Sequence, residues 1–256
     1  ALALLIQQLS LQGDSILIPT PTFNGQLQLI AGLKRRIIET PADATGIDLV
    51  RLEQAMAEHR PKLCLLTANF QNPLGYVLSD VDKQKIAQLA AQYHCIILED
   101  DIYAECSYQG QRPLPIKYWD QHGYVVWVGS VSKSLSTAYR VGWFCIGGQL
   151  KAMYPEFYSA NISVNTPLQL GLADFIYSRE YRNHLSRLQP QLMQQVEQYR
   201  RYILKAFAPL NIGLSQPQGG YALWLELPQK IDSLALYLAA QQHQINIVPG
   251  VVFGED

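Results

Sequence analysis

The feature that most constrains the fold of this 256-residue chain is an alternation of short apolar runs with amphipathic helical segments. The runs are brief and rich in β-branched residues, which is typical of strands buried in a largely parallel sheet. They lie at residues 15–18, 37–39, 63–67, 96–98, 125–128 and 141–146. Between them, residues 48–59 and 81–93 carry apolar side chains at helical spacing, and Ser79 with Asp82 forms a predicted capping box. The pattern predicts an α/β domain.

The pattern changes after the last of these strands. Apolar residues at helical spacing predict one long helix over residues 180–207, with a kink at Pro190. A strand at 221–227, a helix at 231–242 and a strand at 245–248 are predicted to follow. We therefore expect a large domain over residues 1–185 and a smaller α+β domain over residues 186–256.

Charge and cysteine usage narrow the class of protein. The formal net charge is −1, with basic and acidic residues spread along the chain, so the sequence lacks the basic surface of a nucleic-acid-binding domain. No apolar run approaches the ~18 residues that a bilayer span needs. The four cysteines stand singly, without metal-binding or disulfide spacing, and are expected to be small buried hydrophobes of a cytoplasmic protein.

The densest cluster of reactive side chains follows the predicted strand at 125–128. It contains Lys133, flanked by Ser130 and Ser132, with Arg140 seven residues further on. An unprotonated lysine amine condenses with an aldehyde, and hydroxyls together with a guanidinium can hold a phosphate dianion. A polar turn after a strand explains the same residues equally well.

A second cluster begins where the strand at 96–98 ends. It consists of Glu99, Asp100 and Asp101, with Tyr103 shortly after. Buried carboxylates are costly unless a positive group meets them, and a carboxylate beside a pyridine nitrogen would keep that nitrogen protonated. The alternative is an acidic strand end or a helix N-cap.

Two more loops follow predicted strands. Asn72 lies in an Asn-Pro-Leu-Gly turn and could donate to a ring oxygen, whereas Phe23 could stack on a ring. Each loop alone is also an ordinary turn. All four clusters, however, lie at carboxyl ends of predicted strands, where one crevice could collect them.

Taken together, these motifs resemble the fold-type I pyridoxal-phosphate (PLP) enzymes of the aspartate-aminotransferase superfamily. The shared order is an aromatic loop, Asn-Pro-x-Gly, Asp-x-x-Tyr, and Ser-x-Ser-Lys with an arginine seven residues later. The resemblance implies that fold and PLP as the cofactor. It also implies a role for each residue: Schiff-base lysine and proton carrier for Lys133, pyridine-nitrogen partner for Asp100, hydrogen bonds to the phenolic oxygen from Tyr103 and Asn72, stacking for Phe23, and phosphate binding for Ser130, Ser132 and Arg140.

Further segments narrow the resemblance to MocR proteins, which are bacterial regulators of the GntR type. These segments are residues 99–105, 129–135, 139–143, 181–188 and 217–228. In MocR proteins an aminotransferase-like domain follows a winged-helix DNA-binding domain. The resemblance therefore implies an amino-acid-like effector, a homodimer, and DNA contact only through a winged-helix domain outside this chain.

The sequence departs from the family pattern in a few places. Phe23 stands where the family usually has tyrosine, and Thr137 with Ala138 replaces the usual Pro-Gly. The resemblance also implies a glycine-rich phosphate turn before Ala1 and a substrate-carboxylate arginine after Asp256.

Several functions fit these residues. The likeness favours the PLP-binding sensor domain of a regulator, and free-standing 2-aminoadipate-type aminotransferases share much of the pattern. Another PLP reaction, such as β-elimination or decarboxylation, stays open because a fold does not fix a reaction. A nucleotide-binding α/β protein is disfavoured, since no Gly-x-Gly-x-x-Gly follows the first predicted strand.

Overall fold

A seven-stranded mixed sheet forms the centre of the molecule, as seen in a computed structural model that describes residues 1–160, 165–210 and 212–254. The strands are β1 (Ser15–Thr20), β2 (Arg36–Asp43), β3 (Gly46–Ile47), β4 (Leu63–Leu66), β5 (Ile96–Asp100), β6 (Val125–Ser130) and β7 (Gly142–Cys145). Their order across the sheet is β3-β2-β1-β4-β5-β6-β7. Strands β2, β1, β4, β5 and β6 run parallel, and β3 and β7 pair antiparallel at the two edges. The six predicted strands of this region are all present.

Helices cover both faces of the sheet. They are α1 (Leu2–Leu9), α2 (Asn24–Gly32), α3 (Leu49–His59), α4 (Asp80–Gln92), α5 (Tyr154–Ala160), α6 (Thr166–Tyr177), α7 (Arg179–Ala206) and α8 (Ser233–Gln242). On one face Leu52 of α3 and Ile86 of α4 join the core cluster that contains Leu17. On the other face Leu5 of α1 joins the cluster of Ile16, the neighbouring strand residue. The alternating side chains of the buried strands thus feed two cores, which makes a three-layer α/β architecture.

Local sequence signals explain where the helices begin. The Ser79 hydroxyl accepts a hydrogen bond from the backbone N–H of Asp82 at 3.1 Å, as the predicted capping box requires. Asp48 caps α3 and Asp232 caps α8 in the same way. The long predicted helix is present as α7, which contains Pro190.

Of the two strands predicted in the carboxyl-terminal region, one is shorter than predicted and the other is wrong. Of residues 221–227 only β9 (Leu225–Glu226) is a strand, and it pairs antiparallel with the equally short β8 (Gly213–Leu214). Residues 245–248 pair with no strand within the described ranges. The first and last residues of that run are 57% and 63% exposed, so its β-branched composition is not matched by burial.

The cysteines follow the expectation with one exception. Cys64, Cys95 and Cys106 are buried, whereas Cys145 is exposed. Cys145 ends β7, an edge strand with one neighbour among the described strands, and this position leaves it uncovered. Among the described residues no helix is both long and apolar enough to cross a bilayer.

Candidate functional site

The order of the strands creates a crevice at one edge of the sheet. The chain passes from β1 to β2 on one side, and then returns to place β4 on the other side of β1. Loops that leave the carboxyl ends of β1 and β4 therefore diverge, and ligands of α/β proteins bind in the gap between such loops. The loops that carry Phe23 and Asn72 are these two.

A cavity of about 350 Å³ lies at this edge. It brings together five of the eight predicted site residues, namely Phe23, Asp100, Ser130, Ser132 and Arg140. The first residues of α1 line the same cavity. Three of the four strand-end clusters that the sequence predicts thus line one cavity, at the edge where the parallel strands end.

The other three predicted residues form a second group. Nδ2 of Asn72 donates to the hydroxyl oxygen of Tyr103 at 3.4 Å. Nζ of Lys133 lies 5.3 Å from the centroid of the Tyr103 ring. The charge of Lys133 also acts on Asp100, which links this group to the cavity.

Asp100 is the most unusual side chain at this edge. It is 6% exposed, and Nε2 of Gln26 donates to its Oδ2 at 2.9 Å. Its other oxygen, Oδ1, is buried and has no hydrogen-bond partner among the residues that the structure describes. Burial raises the pKa of Asp100 to about 6, against smaller lowering effects that include the Gln26 hydrogen bond and the Lys133 charge. A buried acceptor of this kind is costly unless a donor is supplied from outside the chain.

The two neighbouring acids differ from Asp100 because their oxygens already have partners. Glu99 accepts hydrogen bonds from the backbone N–H groups of Ile116 and Lys117 at 2.7 and 3.0 Å. Burial raises the pKa of Glu99 to about 8. Of the three consecutive acids predicted as a cluster, Glu99 therefore has a structural role on the side away from the cavity.

Asp101 is held by side chains instead. Nδ2 of Asn69 donates to its Oδ1 at 2.9 Å, and Nε1 of Trp127 donates to its Oδ2 at 2.7 Å. The guanidinium of Arg112 pairs with the same oxygen. Within the described part of the chain, Asp100 is thus the one acid of the three with an oxygen free for a ligand.

Two hydroxyl groups and a guanidinium line the same cavity as Asp100. The hydroxyls of Ser130 and Ser132 are 2.8 Å apart, and Ser130 also donates to the backbone oxygen of Val141 at 2.8 Å. Arg140 has a left-handed backbone with φ of 54° and is exposed. These groups can bind an anion through charge-assisted hydrogen bonds when the two hydroxyl hydrogens turn from Val141 and Ser130 towards it.

Two residues that contact the candidate site, Gln26 and Tyr221, were not predicted from the sequence. Gln26 is buried, three positions after Phe23 on α2, and its Oε1 accepts a hydrogen bond from Thr22 at 3.0 Å. Helical spacing from the aromatic residue was the available signal. Tyr221 donates its hydroxyl hydrogen to the backbone oxygen of Lys133, a contact between residues 88 positions apart that no local pattern announces.

The comparison with known families is decisive for the class of protein. A family model described as aminotransferase class I and II matches residues 1–255. This chain belongs to the aminotransferase class I and II family. Family membership confirms the predicted fold-type I architecture and PLP as the cofactor.

Individual relatives of this aminotransferase-family chain have two kinds of name. The uncharacterized HTH-type transcriptional regulator YdcR of Escherichia coli K12 is 36% identical over 254 residues, covering 99% of this chain and 54% of that protein. Aromatic-amino-acid aminotransferase 1 of Thermococcus litoralis is 28% identical over 250 residues, covering 94% of this chain and 59% of that protein. The chain thus spans somewhat more than half the length of these relatives.

Solved structures agree with the fold. The kynurenine aminotransferase of Pyrococcus horikoshii, crystallised with PMP, superimposes with a TM-score of 0.88 at 26% identity. The match covers 98% of this aminotransferase-family chain and 64% of the Pyrococcus chain.

Proposed function

We propose that this chain is the PLP-binding, effector-sensing part of a GntR/MocR-type transcriptional regulator. The observation that carries the cofactor site is the buried, unpartnered Oδ1 of Asp100. The similarity to YdcR, at 36% identity over nearly the whole chain, supports the regulator over a free-standing enzyme.

The residues at the crevice fit PLP. A protonated pyridine nitrogen is a donor without acceptor capacity, and Oδ1 of Asp100 is an acceptor without a donor. The raised pKa of Asp100, caused by burial, falls when a positive charge lies beside it, so the carboxylate and a pyridinium stabilise each other. When bound, PLP supplies an electron sink for the bonds at the α-carbon of an amino acid.

Each predicted side chain has a defined task in this proposal. Asp100 accepts a hydrogen bond from the ring nitrogen. The amide of Asn72 and the hydroxyl of Tyr103, already in contact with each other, orient the ring through its phenolic oxygen. Lys133 carries the reactive amine and moves a proton to and from the α-carbon of the amino acid.

The remaining residues hold the two other parts of the cofactor. Phe23, which is 49% exposed, covers one face of the ring. Ser130, Ser132 and Arg140 bind the phosphate, and the start of α1 lies beside them, where helix N–H groups favour an anion.

A free-standing aminotransferase is the second candidate. It is favoured by the similarity to the Thermococcus litoralis enzyme and by the retention of all eight predicted site residues in one region. The two candidates share the cofactor site and differ in what happens after an amino acid binds.

The cofactor site is tested with the full-length protein and borohydride. We expect absorbance near ~420 nm after PLP is added, as for a lysine-linked cofactor, and a pyridoxyl group on Lys133 in the peptide map after reduction. Lys133→Ala should retain no covalent pyridoxyl group, whereas Lys151→Ala, at an exposed lysine, should behave like the wild type. A covalent adduct that survives in Lys133→Ala would refute the assignment.

Two measurements on the full-length protein, DNA binding and continuous transamination, distinguish the regulator from the enzyme. We expect the full-length protein to bind a specific DNA fragment, with an affinity that changes when PLP and an amino acid are present. Continuous transamination with a 2-oxo acid, without DNA binding, would decide for the enzyme.

We also infer a homodimer, a cytoplasmic location, and a division into a large domain over residues 1–185 and a small domain over residues 186–256. The predicted boundary falls inside α7, which would then connect the two domains. Light scattering of the full-length protein measures the oligomeric state, and a monomer at micromolar concentration would contradict the dimer.

A further inference from the structure

A short segment of the carboxyl-terminal region lies directly against the site loops. Residues 217–221, here called the strap, have the sequence Pro-Gln-Gly-Gly-Tyr. The backbone oxygen of Gln218 accepts from Tyr108 at 2.9 Å, and the backbone N–H of Gly220 donates to Cys106 at 3.0 Å. The strap therefore pairs with the segment that follows Tyr103.

The strap also contacts the loop of Asn72. A Cβ atom at Gly75 would lie 2.9 Å from Cβ of Pro217, and one at Gly219 would lie 2.6 Å from the ring of Phe70. Neither glycine can carry a side chain without movement of its neighbour. The two backbones thus approach as closely as glycine allows.

The third contact of the strap is with the turn of Lys133. The hydroxyl of Tyr221 donates to the backbone oxygen of Lys133, and Sγ of Cys106 lies 3.6 Å from the same oxygen. The ring of Tyr221 lies 6.2 Å from that of Tyr103, over which the Lys133 amine is placed. One segment therefore touches three of the loops that carry the candidate site.

The Tyr221 hydroxyl is in a state to donate. Partial burial raises the pKa of Tyr221 above its usual value, so the phenol stays protonated throughout the neutral range. The backbone oxygen of Lys133 cannot donate, which fixes the direction of the bond.

We propose that Tyr221 is a positioning residue that sets the location of the Lys133 amine by holding the main chain of that residue. The proposal rests on the proposed function, since it concerns the amine that meets PLP. A lysine side chain is a flexible four-carbon stem, so the position of its nitrogen depends on how firmly the backbone of the residue is held. Reactive groups need to be held within roughly 0.5 Å of their productive position.

The test compares two tyrosines of the same region in the full-length protein. Tyr221→Phe removes the hydroxyl that holds Lys133, and Tyr108→Phe removes a hydroxyl that donates to Gly220 of the strap at 2.8 Å. Visible circular dichroism per bound PLP reports how the cofactor is held in its asymmetric site. Hydrogen exchange of residues 131–135 in the PLP-free protein reports how firmly the turn is held.

Tyr221→Phe should bind PLP about 2- to 10-fold more weakly, as for the loss of one neutral hydrogen bond. Its circular dichroism per bound PLP should fall, and exchange of residues 131–135 should be faster. Tyr108→Phe should change neither signal. Cys106→Ala, which removes the second group at the same oxygen, should change both signals in the same direction by less, and it serves if Tyr221→Phe does not fold.

Equal signals in the wild type and Tyr221→Phe would overturn the proposal, and so would equal changes in the two tyrosine variants. A wild type that holds no reducible PLP while exchange still responds to Tyr221→Phe would overturn the proposed function and leave the anchoring of the turn established.

Discussion

The sheet region (residues 1–160) and the carboxyl-terminal region (residues 212–254) are held in place in different ways. In the sheet region, β4 is buried over its whole length between two core clusters. In the carboxyl-terminal region, α8 contains no buried residue. The buried residues of the carboxyl-terminal region include Gly219 and Gly220, which lie against the loops of the candidate site. The sheet region therefore contains both large core clusters, whereas the buried glycines of the carboxyl-terminal region lie against loops of the candidate site.

The largest expected effect is a difference between two leucines. Leu65→Ala, at a fully buried position of β4, should lower the free energy of unfolding by ~2–5 kcal/mol because it leaves a cavity. Leu238→Ala, at a position of α8 that is 54% exposed, should change it by less than about 0.5 kcal/mol. Guanidinium unfolding measures both. Equal losses of unfolding free energy in the two variants would contradict this difference between the regions, since they would mean that the carboxyl-terminal region has a core of its own.

The next prediction concerns the buried carboxyl group of Asp100. Because burial raises the pKa of Asp100 from 3.8 to about 6, the folded PLP-free protein keeps a proton that the unfolded chain has lost. The stability from this group is therefore fully present below pH ~4 and is lost as the pH rises towards ~6. Asp100→Asn should remove this dependence and make the PLP-free protein ~1–3 kcal/mol more stable at pH 7.

Unfolding of the PLP-free protein between pH 4 and 7 measures this effect. Asp174→Asn, at an exposed carboxylate of α6, is the control and should leave the pH dependence as it is in the wild type. A profile for Asp100→Asn that parallels the wild type would show that Asp100 does not carry the dependence.

A third prediction addresses the contact between the two regions. Gly219→Ala should lower the free energy of unfolding by ~1–3 kcal/mol, since its methyl group would meet the Phe70 ring and the backbone oxygen of Cys106. It should also speed proteolysis of residues 212–254. Gly171→Ala, on a face of α6 with open space around it, should instead stabilise the protein by about 0.5–1 kcal/mol. Equal effects would show that the strap approaches the sheet region less closely than the structure indicates.

The smallest expected effect is local. Asp232 caps α8 by accepting from the backbone N–H groups of Leu234 and Ala235 at 2.7 and 3.4 Å. Asp232→Ala should cost ~0.5–2 kcal/mol in that helix, seen as faster hydrogen exchange there with little change in the melting temperature. Ser79→Ala, which uncaps α4 in the sheet region, should lower the melting temperature itself. A clearly lower melting temperature for Asp232→Ala would contradict this prediction and show that the two regions unfold together.

The difference in burial between the two regions also explains how much of the fold could be predicted from the sequence. The central strands β1, β4, β5 and β6 are found from their apolar runs because they are largely buried, and burial on both faces favours apolar residues. The run at 245–248 has the same composition without the burial, and composition alone cannot tell the two apart. Strand pairing depends on a partner that the local sequence does not contain.

The candidate site was predictable where it follows strand ends. The loops of Phe23, Asn72, Asp100 and Lys133 come to one edge because parallel strands end together. The choice of Asp100 over its neighbours came from resemblance, whereas the physical reason lies in partners far along the chain. Glu99 is satisfied from residues 17 and 18 positions away, and such long-range contacts leave no local pattern.

The bond between Tyr221 and Lys133 joins positions 88 residues apart, and this distance has a consequence during synthesis. All five parallel strands lie before α7 in the chain and are therefore synthesised before residue 221. With Tyr221 in its proposed role, the contact that holds the main chain of Lys133 forms only after residue 221 has been made. The Lys133 amine would thus gain its final position later in synthesis than the strand that precedes it.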